Sequence, residues 1–430
     1  MKVLLLGGGG REHALAWMLR QSPTVQRLYA LPGSDAIATL AEPIAGDPTD
    51  ASRVAALAEE LDIDLTVVGP EAPLAAGVAD ALQAAGRRVF GPSRAAARLE
   101  SSKIFAKEFM ARHQVPTARF AACAGAAEAL AALDRFPPPV VLKADGLAAG
   151  KGVVIAEDRA GAEAALADLF AGRLAGSAGQ RVVIEECLRG EEISLLALSD
   201  GERWALLPPA QDHKRALDGD RGPNTGGMGA VSADELLPPE LRTRIEREIV
   251  APVLRGMAAE GHPLRGVLYC GLMLTADGPR VLEFNVRVGD PEAQAILARA
   301  EGDWATALLS VAEGRLRADL LRWSPQPAAC VVLASGGYPG SFATDFPIHG
   351  LEVAGREAQV TIFHAGTALR QQHWVTRGGR VLGVTARAET LAAALEQAYA
   401  GVEPIRFEGM QYRRDIGRRA LAWIAAGARI

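Results

Sequence analysis

The sequence predicts a multidomain α/β and α+β protein that opens on a doubly wound parallel sheet and closes on a mixed α+β domain. Three observations carry that expectation. The chain has 430 residues, room for two to four domains at roughly 100–200 residues each. Over residues 1–100, short apolar runs alternate with helix signals, as in a parallel sheet covered on both faces. After Trp323-Ser324-Pro325, strand-like runs bounded by glycine pairs stand beside one helical stretch.

Taken in order, Val3–Leu6 reads as a buried strand and Glu12–Arg20 as a helix. Leu65–Val68 and Arg88–Phe90 are further apolar runs, ending in Gly69-Pro70-Glu71 and Gly91-Pro92-Ser93. In such sheets ligands bind where the carboxyl ends of the strands open. A helix is expected from Ser102 to His113, a strand from Val140 to Lys143, and a strand from Val182 to Ile184. Residues 206–229 show little regular pattern, and Val281–Val286 is again a strand. The C-terminal part predicts strands at Ala329–Ala334, Gln359–Phe363 and Arg380–Thr385, with a helix over Glu389–Ala400.

Composition narrows the function. With 46 Lys and Arg against 51 Asp and Glu, the net charge is −5 and aromatics are 5% of the chain. Neither a basic excess nor a set of stacking platforms is present, so nucleic acid is not an expected partner. Cys123, Cys187, Cys270 and Cys330 stand far apart, with no CxxC pair, which excludes a zinc ribbon and suits a reducing cytoplasm. Met1–Leu6 is too short for a signal-peptide core, and no apolar run approaches the ~20 residues of a membrane span.

Five segments carry chemistry. Gly7-Gly8-Gly9-Gly10 lies between a strand and a helix, where free helix N–H groups favour anions. A dinucleotide fingerprint fails, because Glu12 or His13 occupies its last small position and no acid follows near Tyr29–Gly33. The ordinary alternative is a tight first turn. Lys143–Gly152 is a glycine loop flanked by Lys143 and Lys151; Gly146 and Gly150 are one residue too close for a Walker loop, and Gly152 replaces its Ser or Thr. Glu185, Glu186, Glu191 and Glu192 surround the end of one strand, where carboxylates could accept from ribose hydroxyls or simply form an acidic turn. Gln211–Arg215 followed by Gly222–Gly229 makes a plausible anion or amine pocket, or a charged loop. Period two places Glu283, Asn285 and Arg287 on one strand face, with Leu282, Phe284 and Val286 toward the core. Glu283 and Asn285 are hard oxygen donors of the kind magnesium takes beside phosphates, and Arg287 can meet a developing oxyanion.

In this order the motifs resemble the glycinamide ribonucleotide synthetase family of ATP-grasp ligases. The carriers are Gly9–Leu15, Val68–Leu74, Lys143–Gly152, Gln211–Arg215, Gly222–Ala230 and Glu283–Glu292, then Ala334–Gly340, His364–Thr367 and Asp415–Gly417. The resemblance runs from Met1 to about Arg419. It implies an N-terminal substrate-binding domain at 1–101 and an ATP-grasp body at 102–120 and 190–323. A lid at 121–189 and a C-terminal domain at 324–430 complete it. It implies a ligase of purine biosynthesis that uses ATP and magnesium, or manganese in its place, to join glycine to 5-phosphoribosylamine through glycyl phosphate. A cytoplasmic monomer holding this one activity, with small-molecule partners and no membrane, is expected.

The resemblance also implies roles. Lys103, Lys143, Gly150, Lys151 and Gly152 would meet ATP phosphates. Glu185 and the backbone of Cys187 and Leu188 would hold adenine, Glu192 the ribose, and Glu186 would also bind ATP. Glu283 and Asn285 would bind metal, and Arg287 and Lys214 would act in catalysis. Gly9, Gly10, Glu12, Pro32, Gly33, Glu71, Asp212, Asn224, Thr225 and Asp290 would surround the substrates. Ser34-Asp35 stands where Asn and a nearby Gly are usual in the family. Another ATP-grasp ligase or carboxylase would share Lys143, Glu283 and Asn285 but lack the 211–229 segment. An inactive nucleotide sensor would have lost the metal donors or Arg287.

Overall fold

The protein is described by a computed structural model covering residues 1–147, 152–174, 176–355 and 359–430. The predicted Gly150 and Lys151 lie outside the described residues.

The N-terminal sheet is parallel. It contains β1 (Lys2–Gly7), β2 (Arg27–Pro32), β3 (Glu42–Pro43), β4 (Leu65–Val68) and β5 (Val89–Phe90), in the spatial order β3-β2-β1-β4-β5. Period two sends Leu4, Leu6, Tyr29 and Leu31 into one core and Val3, Leu5, Leu28 and Ala30 into another. Both faces are therefore covered, which is why these strands read as unbroken apolar runs. The strand order reverses between β1 and β4, so Gly7 and Gly69 stand at the switch point.

The next sheet has four antiparallel strands, β6 (Phe120–Cys123), β7 (Val140–Ala144), β8 (Val153–Ala156) and β9 (Val182–Glu186), ordered β6-β9-β7-β8. It owns a separate small core in which Leu142 and Ile184 meet Leu166 and Leu169 of the helix Arg159–Phe170.

The largest sheet has nine strands. Its strands before residue 324 are β10 (Glu191–Asp200), β11 (Trp204–Leu206), β12 (Ala210–Asp212), β15 (Gly229–Ser232), β16 (Arg265–Thr275) and β17 (Gly278–Asn285), and a separate hairpin of β13 (Arg215–Leu217) and β14 (Arg221–Asn224) lies between β12 and β15 in the chain. The hairpin stands off the sheet, and residues 206–229 are thus more regular than their sequence suggested. Beyond β15 the sheet continues through Ala328–Ala334, Arg380–Arg387 and Val360–His364. Strands from before and after residue 324 are therefore joined by one backbone ladder, Gly229–Ser232 against Ala328–Val331.

The strand carrying Glu283 departs from its simple alternation. Gly271 pairs with Glu283 but Leu272 pairs with Val281, so Leu282 is an extra residue in a bulge. Leu282 does not face the core as period two predicted. It is half-buried and lines the cleft described below, while Phe284 and Val286 are buried. Arg287 lies past the end of the strand, which closes at Asn285.

Candidate active site

The helix Lys103–Arg112 starts at Ser102, whose hydroxyl accepts from the Phe105 N–H and donates to Asp145 Oδ1. Asp145 also accepts from the Ile104 N–H, so the entrance of the glycine loop is tied to this helix start. One helical face then presents Lys103 and, a turn later, Lys107. Lys103 Nζ lies 2.8 Å from Glu283 Oε2. Lys143, at the end of β7, reaches Glu185 Oε2 at 3.1 Å and donates to the Leu282 carbonyl at 2.9 Å. The bulge frees that carbonyl from the ladder and turns it to the lysine.

Arg287 sits in a chain of alternating charges. Its guanidinium is 2.9 Å from Glu100 and 3.4 Å from Glu71, and Glu71 is 3.7 Å from Arg11. Glu100 also accepts from the Val286 N–H, so one buried carboxylate fixes both the arginine and the strand end. Asp290 pairs with Arg380 at 3.1 Å and accepts from Gln294. Arg380 also donates to the Gly226 and Asp290 carbonyls, while Tyr338 Oη accepts from the Gly226 N–H. Two residues from beyond 324 thereby hold loops from before it.

The 211–229 segment places Asp212 and Lys214 on the cleft floor. Lys214 Nζ contacts Glu192 and lies 3.7 Å from Asp212. Thr225 Oγ1 donates to the Lys214 carbonyl and accepts from the Gly227 N–H, which fastens the loop. Nearby, Tyr269 Oη donates to Glu292 at 2.6 Å and shares a hydrogen bond with Ser194.

Burial and charge set the protonation states. Burial opposes the charge on Lys103, but Glu283 outweighs it and raises the lysine above its ordinary range. In return Lys103, against desolvation, holds Glu283 far below the usual carboxylate range. Desolvation also opposes the charge of Lys214, yet Asp212 and Glu192 hold it well above the lysine range. Burial pushes Asp212 above the usual carboxylate range, opposed by Lys214 and assisted by Glu292.

These groups line one cleft of about 940 Å³, a size suited to a nucleotide-sized ligand. It gathers Lys103, Lys143, Gly152, Glu185, Glu186, Cys187, Leu188, Glu192, Asp212, Lys214, Glu283, Asn285 and Arg287, together with Glu71, Asn224, Thr225 and Asp290. It does not include Gly9, Gly10, Glu12, Pro32 or Gly33. Those five lie beside it, Gly9, Gly10 and Glu12 at the start of the helix after β1 and Pro32 and Gly33 at the end of β2. The Glu12 carboxylate accepts from the Gly9 N–H and from Arg11 Nε, and it is buried. It supports the turn, and Arg11 is the member of this segment that reaches the cleft. Ser34 accepts from the Ile37 N–H, and Asp35 accepts from the Leu369 N–H, so both serve the fold.

Comparison with known proteins decides the family. Three descriptions match in succession: "Phosphoribosylglycinamide synthetase, N domain" over residues 1–100, its "ATP-grasp (A) domain" over 101–293, and its "C domain" over 328–419. The chain belongs to the phosphoribosylglycinamide synthetase family. The phosphoribosylamine–glycine ligase of Caulobacter vibrioides is 51% identical over 98% of this chain and 99% of that protein. The one from Ralstonia nicotianae is 50% identical over 98% and 100%. The crystal structure of the Thermotoga maritima phosphoribosylamine–glycine ligase superposes with a TM-score of 0.85 at 34% identity, over 97% of this chain and 100% of that one. Biotin carboxylase from Campylobacter jejuni shares the fold, with a TM-score of 0.73 at 16% identity.

ATP-grasp enzymes use ATP and divalent metal ions, and the donor set in this phosphoribosylglycinamide synthetase family member fits such an ion. Glu283 and Asn285 bring a carboxylate and an amide oxygen into the cleft, and the Lys103 ammonium already stands as a cation against Glu283. No cluster of three or more His, Cys, Asp or Glu suited to a metal occurs among the described residues. Magnesium needs none, since it takes one or two carboxylates plus substrate phosphates. Sequence reasoning assigned no role to Glu100, Tyr269, Glu292 or Arg380. Glu292 lay inside a recognised motif, but nothing local marks Glu100 or Arg380, whose partners are far away in sequence.

Proposed function

We propose that the protein is an ATP-dependent ligase of purine biosynthesis that joins glycine to 5-phosphoribosylamine, giving glycinamide ribonucleotide, ADP and phosphate. The observation that carries this is the convergence of Lys103, Lys143, Lys214 and Arg287 with the oxygen donors Glu283 and Asn285 in one cleft. In this reading a glycine carboxylate oxygen attacks the γ-phosphorus, and the bond to ADP breaks. The amine of phosphoribosylamine then attacks the glycyl carbonyl, the carbon–oxygen bond to phosphate breaks, and the new amide nitrogen sheds a proton. Such a reaction needs positioning and charge neutralisation more than covalent help from the protein.

Lys103 and Lys143 neutralise phosphate charge, and Gly150, Lys151 and Gly152 are assigned to the same phosphates. Glu185 and the backbone of Cys187 and Leu188 hold the adenine, Glu192 the ribose, and Glu186 also serves the ATP site. Glu283 and Asn285 hold magnesium, or manganese, which when bound neutralises further charge on the phosphates. Arg287 meets the charge that develops on the acyl phosphate, and Lys214 steadies the reacting carboxylate beside Asp212. Glu71, Asn224, Thr225 and Asp290 contact the co-substrates, and the Gly9–Glu12 and Pro32-Gly33 turns shape the sugar-phosphate end. Residues 1–101 serve as the substrate domain, 102–120 with 190–323 as the ATP-grasp body, 121–189 as its lid and 324–430 as the C-terminal domain. A cytoplasmic monomer completes the proposal. Among the described residues no helix is long and apolar enough to cross a membrane.

The test is ADP release from purified protein given ATP, Mg²⁺, glycine and freshly made phosphoribosylamine. Release should require both co-substrates. ADP formed with either one missing, or none formed with both, would refute the ligase assignment.

A further inference from the structure

Lys107 is a charged residue that the proposed chemistry does not use. It is 2% exposed and does not line the cleft. Its Nζ lies 3.0 Å from Glu185 Oε2, the same oxygen that Lys143 approaches at 3.1 Å. It also donates to Thr117 Oγ1 at 2.7 Å, and Thr117 in turn donates to the Val281 carbonyl at 2.6 Å. Val281 belongs to β17, the strand that bears Glu283.

Two buried lysines thus share one buried carboxylate, and they are not equivalent. Lys143 faces the cleft, and its second partner is only the bulge carbonyl of Leu282. Lys107 is pinned from behind by Thr117 and does not line the cleft. If Lys143 turns to a phosphate, Glu185 loses one of its two cations. A buried carboxylate stripped of all counter-charge is strongly destabilising, which would oppose nucleotide binding. Glu185 Oε1 is itself buried with no hydrogen-bond partner, so the carboxylate has no neutral donor to fall back on.

We propose that Lys107 is a positioning residue for nucleotide binding: a fixed counter-ion that keeps Glu185 paired and oriented, so that Lys143 is free to leave it for the phosphates. Lys107 touches no substrate, and it acts only through Glu185. Its effect falls on the nucleotide and not on glycine. The role rests on the assignment of Lys143 and Glu185 to ATP given above.

The experiment measures ATP affinity of the full-length protein by isothermal titration calorimetry, with Mg²⁺ and without co-substrates. The variants are Lys107→Met, Lys107→Arg, Thr117→Val, Glu185→Gln and the Lys107→Met/Glu185→Gln double variant. Lys107→Met should weaken ATP at least tenfold, and Lys107→Arg should restore most of that loss. In the Glu185→Gln background the same Lys107→Met change should cost less than twofold, because the carboxylate that needs it is gone. KM for glycine, read from ADP release, should stay within twofold of the parent. Should Lys107→Met not fold, Thr117→Val carries the test, with an expected loss of about threefold as the tether loosens. Unchanged ATP affinity in Lys107→Met, or in Thr117→Val where that variant stands in, would overturn the role. So would an equal Lys107→Met penalty with and without the Glu185 carboxylate. Parent protein that binds no ATP would instead sink the nucleotide assignment itself, a result readily told apart from these.

Discussion

Lys103 Nζ lies 2.8 Å from Glu283 Oε2, joining the first turn of a helix to a strand 180 residues later. The ammonium stands against the oxygen proposed for a divalent cation. A divalent cation held by Glu283 and Asn285 would share this carboxylate with Lys103 and would add to the positive charge that meets the phosphates. Glu283→Ala should therefore cut turnover at least about a hundredfold, the scale seen when a placed electrostatic group is lost. Its circular dichroism should match the parent's. Retained turnover would show that the metal assignment is wrong.

Arg287 offers a planar fork to Glu100 and Glu71, which a lysine cannot reproduce. Arg287→Lys is expected to lower kcat by about tenfold to a hundredfold while changing the KM for ATP less than threefold. A variant with parent kcat and a raised KM for ATP would place Arg287 on the nucleotide instead.

Gly227 has φ +111°, a region disfavoured for residues bearing a Cβ, and an added Cβ would lie 2.3 Å from Pro291 Cδ. Gly227→Ala must displace one of the two loops that Arg380 ties together. It should destabilise the protein by about 1–3 kcal/mol and reduce kcat/KM for the co-substrates at least tenfold. Calorimetric unfolding and steady-state rates would read the two effects separately.

His13 is buried, and its Nδ1 accepts from the His364 N–H at 2.8 Å. Burial lowers its pKa to about 4. The unfolded chain binds this proton near pH 6.5, whereas the folded chain resists it until about 4. The contribution of neutral His13 to stability is therefore complete above pH 6.5 and declines as the pH falls toward 4. Over that window one group costs up to roughly 3 kcal/mol, about 2 of it by pH 5. The drop in melting temperature between pH 7 and pH 5 should be smaller in His13→Gln than in the parent. Parallel drops would mean that other groups carry the acid sensitivity.

The doubly wound N-terminal sheet was legible because strands buried on both sides must be apolar throughout. Val3, Leu4, Leu5 and Leu6 leave no other reading, and all four are fully buried. The strand with Glu283 and Asn285 was legible from its polar alternation, but the bulge at Leu282 was not. A single extra residue leaves no mark on composition, and it inverts the expected direction of one side chain. Glu12 shows the opposite difficulty. Its place in a recognised motif said that it matters, but not that its carboxylate would turn inward to the Gly9 N–H. Glu100 and Arg380 act on Arg287 and Asp290 across separations that no local pattern spans. Only the folded chain brings them together.

The ladder between Gly229–Ser232 and Ala328–Val331 limits how the gene could be rearranged. A chain ended near residue 324 would keep β15 with its outer N–H and C=O groups bare, a template for another strand. The released piece would carry the complementary raw edge. Neither half is a detachable cassette, and a split expressed from two genes should be recovered as a reassembled pair or as aggregate, never as two independent soluble proteins.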